Sequence, residues 1–280
     1  MASRLTAVLL LLALGGPRTW CCGQQQDDER DLAQVTLASG KQEVSGYRFV
    51  AHDGSQQLEL KLHGESLLHW SNPAVGEVYG DVFLWTASGR PEVIGSYYRF
   101  FSPFKQTVLE LHSLSLGKIT ASQGEGQVWA PQSPGVTLQP IDGAASPAEL
   151  SAARLNQMKR LARQFRVQVE DRRTDDRQAV TRDLRLLTRP VYRYGDGKGD
   201  LVDGALFAFV AGTDPEALLL IEARRTPRQT TWRYGFARMN IDRLTGYHQE
   251  QQVWQAEQLQ PPWHKPNQPY TLFVRQGGED

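Results

Sequence analysis

The stretch VYGDVFLWTASGRPE, residues 78–92, decides how this chain is read, because VDGALFAFVAGTDPE, residues 202–216, repeats its plan. Val78, Gly80, Phe83 and Ala87 fall on Val202, Gly204, Phe207 and Ala211, and Pro91-Glu92 falls on Pro215-Glu216. Each stretch is an apolar run, a turn of small residues, then Pro-Glu opening a second apolar run. Proline presets one backbone dihedral and glycine tolerates unusual ones, so both stretches predict a β-hairpin.

Working outward, the same offset brings Leu60 and Leu62 onto Leu184 and Leu186, Trp70 onto Tyr194, and Trp85 onto Phe209. Pro103 then meets Pro227, and Thr107 meets Thr231. With one residue inserted in the second copy, Glu125, Gln127, Val128 and Trp129 meet Glu250, Gln252, Val253 and Trp254. Self-similarity on this scale predicts an internal duplication.

A helix start precedes the second copy. Ser146 can cap, Pro147 suits the first helical position and Glu149 can close a capping box. Leu155, Met158, Ala162 and Phe165 make an apolar stripe, with Arg154, Lys159, Arg160 and Arg163 on a solvated basic face. A matching helix is expected near Glu29–Ser39, kept short by Gly40. The rest reads as antiparallel strands, among them Val78–Ala87 with Val93–Phe101, Val108–Leu116, Lys118–Trp129 and Thr245–Ala256. The predicted fold class is therefore α+β, with two tandem copies of one helix packed on a curved antiparallel β-meander sheet. The first copy spans 32–142 and the second 143–280.

The N-terminus has one basic residue, Arg4, then an apolar run from Ala7 to Leu14 and small residues after it. That is the pattern of a secretory signal covering residues 1–23, and the run is too short to span a bilayer. A lipid anchor on Cys21 or Cys22 is the rival reading. Residues 24–31 are polar and acidic and are expected to form a loose tail. Cleavage after Gly23 removes both cysteines, which predicts a mature chain without disulfide, thiol nucleophile or cysteine metal site. The chain carries 31 basic and 31 acidic residues. This balance argues against a nucleic-acid partner, which calls for a basic excess.

The segments around Leu68-His-Trp-Ser-Asn72, Asp81–Pro91, Glu110-Leu-His-Ser113 and Gly204–Ala223 resemble an uncharacterised family of exported bacterial proteins. The resemblance implies an extracytoplasmic location and no particular chemistry.

Familiar catalytic signatures are missing: no His-Glu-x-x-His, no phosphate loop and no Gly-x-Ser-x-Gly. Ser102…Lys105 and Ser115…Lys118 match Ser-x-x-Lys but sit outside any helix start. Asp196, Asp200 and Asp203 crowd a Gly-rich loop whose spacing does not suit an EF-hand. The best catalytic candidates are Glu110 and His112, two apart on a strand and so on one face, with His69 as a third member able to share a proton or a metal. Aligned at a constant offset, their counterparts are Tyr234 and Phe236. Trp129 and Trp254 are candidate ligand-stacking aromatics, although buried core tryptophan is the plainer reading. No cofactor and no dedicated metal site is expected. The favoured function is an exported, non-catalytic binding or scaffold protein that takes a small ligand or an envelope protein, with no transmembrane segment in the mature chain. The alternative is a hydrolase-like or metal-assisted enzyme using Glu110 and His112.

Overall fold

A computed structural model describes residues 21–53, 56–171, 180–195 and 199–276. Most of the expected export signal, and Asp196 and Lys198 of the Gly-rich loop, lie outside the described residues. The first half runs α1 (Cys21–Ser45), β1 (Tyr47–Asp53), β2 (Gln56–Glu59), β3 (Lys61–Leu62), β4 (Leu68–Ser71), β5 (Glu77–Ala87), β6 (Arg90–Ser102), β7 (Gln106–Ser113), β8 (Lys118–Gln123), β9 (Gly126–Trp129) and β10 (Gln139–Pro140). The second runs α2 (Ser151–Ala162), β11 (Phe165–Asp171), β12 (Val180–Asp183), β13 (Arg185–Leu186), β14 (Tyr192–Tyr194), β15 (Leu201–Ala211), β16 (Asp214–Arg225), β17 (Thr230–Arg238), β18 (Arg243–His248), β19 (Gln251–Ala256) and β20 (Tyr270–Gln276).

The α+β expectation is corrected. Strands make up 54% of the chain and helix 13%, and the strands form four antiparallel sheets rather than one meander per helix. Two four-stranded sheets have the orders β2-β1-β8-β9 and β12-β11-β18-β19, and two six-stranded sheets contain β20-β7-β6-β5-β3 and β10-β17-β16-β15-β13. The cause lies in Lys118–Trp129 and Thr245–Ala256, which read as single strands. Each bends at a left-handed residue, Gly124 at φ +59° or Gln249 at φ +54°, and folds back as a separate hairpin. That hairpin joins β1 or β11 in a small sheet of its own.

The result is four layers. Phe83 and Trp85 of β5 face α1 and the first small sheet, packing with Val44, Phe49 and Trp129. Val82 and Leu84 face the other way, onto Leu206, Ala208, Leu218 and Leu220 of the second large sheet. Both large sheets are covered on both faces, which is why β5 and β15 read as nearly unbroken apolar runs. A third core joins α2 and the second small sheet to the outer face of the second large sheet.

Two glycines mark close approach. A Cβ at Gly80 would stand 2.2 Å from the Trp70 ring, and one at Gly204 would stand 2.4 Å from the Tyr194 ring. Each aromatic lies flat over its cross-strand glycine, as Trp70↔Gly80 and Tyr194↔Gly204.

The last strand of each half crosses over. β10 pairs with β17 of the second half, and β20 pairs with β7 of the first. This reciprocal exchange, which no local pattern announces, ties the halves together along a seam.

The helices differ from expectation. α1 begins at Cys21 and so includes residues 24–31, in place of a loose tail. It passes through Gly40, where a Cβ would come within 3.0 Å of Tyr97, so this glycine permits close helix–sheet packing rather than ending the helix. α2 starts at Ser151 without a side-chain cap, and Ser146 lies outside it. Gln157 instead ties the preceding segment to the helix through Ala148 N–H and Ser146 O. Arg154 does not face solvent: its Nε donates to the buried Asp203 at 2.8 Å.

Candidate functional site

Strand register settles which side chains share a face. Val82, Ser96 and Glu110 stand opposite one another on β5, β6 and β7, and Asp81, Tyr97 and Leu109 form the neighbouring row on the other face. Glu110 and His112 therefore point to the seam. His69 pairs with Asp81 and points to the α1 side. The expected Glu110–His112–His69 constellation does not assemble, because a sheet lies between its members. His69 is two-thirds exposed and hydrogen-bonds the buried Asp81, whose carboxyl is raised by burial against the lowering effect of His69 and Ser66.

Glu110 and His112 are both buried, and no hydrogen bond joins them. The Tyr270 hydroxyl donates to Glu110 Oε2 at 2.5 Å. Burial raises the Glu110 carboxyl well above its usual range, while Tyr270 and Arg238 oppose that shift. His112 Nε2–H donates to Gly135 O at 3.2 Å. Burial lowers its pKa to about 4, partly offset by the backbone of Gly135 and Arg238. A neutral imidazole held by a carbonyl, with its neighbouring carboxyl committed to a phenol, is poorly placed for acid–base exchange between the two.

The registers Gly95↔Leu111 and Leu219↔Phe236 also move the inserted residue of the second half into the β16–β17 turn. The counterparts of Glu110, His112 and Ser113 are therefore Gly235, Ala237 and Arg238, not the residues a constant offset gives.

The two tryptophans pack into the outer cores. Trp129 is fully buried, meets Phe49 edge-on and donates to Gln268 O at 2.7 Å. Trp254 stacks on Phe236 with ring centroids 5.1 Å apart. Neither lines the seam.

What the seam does hold is a cavity of about 260 Å³, built from both halves. Trp70, Tyr98, Phe100 and Phe104 supply aromatic walls, with Tyr270 and Leu272 from β20. Glu110, Asp214, Glu216 and Asp242 bring carboxyl groups to the same space. Asn72 Nδ2 donates to Asp214 at 2.9 Å, and Asn240 Nδ2 donates to Glu216. Arg238 directs its N–H groups to the carbonyls of Asn240, Glu257 and Asp242 and lies over the Tyr270 ring at 5.2 Å.

The corresponding place on the other side of the seam is filled. Matching registers set Ala87↔Arg90 against Ala211↔Asp214 and Gly80↔Tyr98 against Gly204↔Glu222. Arg90 thus occupies the position of Asp214, and Glu222 that of Tyr98. Arg90 is partly buried, donating to Glu92 at 2.9 Å and Glu222 at 3.1 Å. Tyr194 and Arg224 also donate to Glu222. The two carboxylates hold the guanidinium charged.

Sequence reasoning missed the cavity because its residues come from six strands and three connections. One signal was present: beside the identical Pro-Glu pairs, Arg90 and Asp214 carry opposite charges. Among the described residues, no three His, Cys, Asp or Glu side chains gather as a metal site, and no helix is long and apolar enough to cross a membrane. No family model, no curated protein and no solved structure matches the chain.

Proposed function

We propose that this is an exported, non-catalytic binding protein whose two halves descend from one duplicated unit and whose ligand sits in the seam cavity. The observation that carries the reading is the aromatic-walled space between Trp70, Tyr98, Phe100 and Tyr270, where polar groups converge at a junction of two halves. Ligand sites favour such junctions, with mostly apolar walls and a few placed polar groups. Export rests on the basic, apolar and small-residue pattern of residues 1–23, and membership of an exported bacterial family rests on the segments quoted above.

The enzyme alternative has less behind it. Glu110 and His112 are each engaged elsewhere, and His69 lies across the sheet.

The test is ligand-observed NMR on the full chain with benzyl alcohol, benzylamine and benzoate. Val75 lines the cavity, so Val75→Trp should fill it and abolish the saturation transfer seen with the wild type. Identical signals from the two proteins, or none from either, reject the cavity as a ligand site.

A further inference from the structure

We propose that the seam cavity receives an organic cation, a guanidinium or ammonium head on a small apolar body. The inference rests on the binding reading above and names the ligand class of that same cavity.

The argument comes from the filled counterpart. There, the β5–β6 turn inserts the Arg90 guanidinium between the carboxylates of Glu92 and Glu222. In the open place the matching turn carries Asp214, so no side chain of its own enters as a cation. Glu216 keeps the position of Glu92, as the matching bonds Leu114 N–H to Glu92 O and Met239 N–H to Glu216 O establish. Tyr98 and Phe100 stand where Glu222 and Arg224 stand, turning a charged wall into an aromatic one. The cavity therefore keeps the carboxyl side of the Arg90 site, adds Asp214, and exchanges the rest for ring faces.

Each class of guest meets this lining differently. A cation lying where the Arg90 guanidinium lies in the counterpart would face Glu216 and Asp214, with ring faces beside it for cation–π attraction. A neutral guest of the same shape would strip water from those carboxyl groups without replacing it, and an anion would be repelled. Glu110 is buried at the same cavity, but burial raises its carboxyl and favours the neutral acid, so the acidic lining that a cation meets is that of Asp214 and Glu216. Arg238 is a cation that acts on Glu110, but its donors are directed to three backbone carbonyls and it rests on Tyr270.

The experiment is calorimetric titration of the full chain with benzylguanidinium and with benzylurea, its planar uncharged twin. Benzylguanidinium should bind at least about tenfold more tightly. Asp214→Asn, which can still accept from Asn72, should erase most of that preference by weakening benzylguanidinium binding. Asp214→Arg should abolish binding of both by restoring the counterpart's arrangement. Equal affinity for the two probes, or a preference for the urea, overturns the cation assignment while the cavity remains a binding site. Failure of both probes where benzyl alcohol still binds does the same. Failure of every probe overturns the binding reading as well.

Discussion

Tyr270, on the last strand, donates its hydroxyl hydrogen to Glu110 on β7, 160 residues earlier in the chain. The bond crosses from one half to the other and supplies the buried carboxyl with its phenolic partner. Because β20 is an exchanged strand, the partner arrives from the half that does not contain β7.

The raised carboxyl of Glu110 makes stability fall as pH rises. A carboxyl whose folded pKa lies above its unfolded value of about 4.3 contributes stability that is fully present below the unfolded value. That contribution is lost as pH rises through the folded value. Glu110→Gln should therefore flatten the decline of stability as pH rises above about 4.3, read by urea denaturation across pH. Tyr270→Phe should raise the carboxyl further and cost about 1–2 kcal/mol.

His112 works on the acid side. Its folded pKa of about 4 lies below the ordinary 6.5, so only the unfolded chain takes up a proton between those values. Stability is fully present above pH 6.5 and falls as pH drops towards 4, by about 3 kcal/mol in total. His112→Gln should remove that slope, and an unchanged slope in the variant would assign the acid sensitivity to other groups.

Removing Arg90 should expose the cost of isolated buried charge. Arg90→Met leaves Glu222 buried with Arg224 and Tyr194 beside it but without its guanidinium partner, and should cost about 3–5 kcal/mol. Adding Glu222→Leu should recover part of the loss, because the carboxylate goes with its partner. Thermal unfolding of the single and double variants measures both effects.

The glycines under the aromatic rings give a paired test. Gly80→Ala and Gly204→Ala should each destabilise by about 1–3 kcal/mol through overpacking against Trp70 and Tyr194. Combining Gly80→Ala with Trp70→Ala should be markedly non-additive, since the shortened side chain leaves room for the new methyl. Additive losses would place the strain elsewhere.

The hairpins β5–β6 and β15–β16 were legible because their apolar runs and Pro-Glu turns are local signals. The four sheets were not. Whether Lys118–Trp129 stays straight or folds back depends on Gly124 adopting a left-handed conformation, which the identity of the residue permits but does not require. The crossing of β10 and β20 depends on pairing far along the chain. For the site, alternation along β7 placed Glu110 and His112 together correctly. It could not place His69, because comparing faces on different strands needs the register between them. Arg154 read as solvated because helical periodicity sees only its own helix, whereas Asp203 reaches it from β15. Pro215-Glu216 reads as turn chemistry, and Glu216 together with Asp214 also lines the cavity.

The exchanged last strand also has a consequence for the order of assembly. During synthesis β7 is complete long before Tyr270 leaves the ribosome, and until then the open edge of β7 has no strand beside it. The seam cavity gains its β20 wall only when that strand emerges, so a chain interrupted after β19 would carry most of both cores with an adhesive sheet edge where the cavity wall belongs.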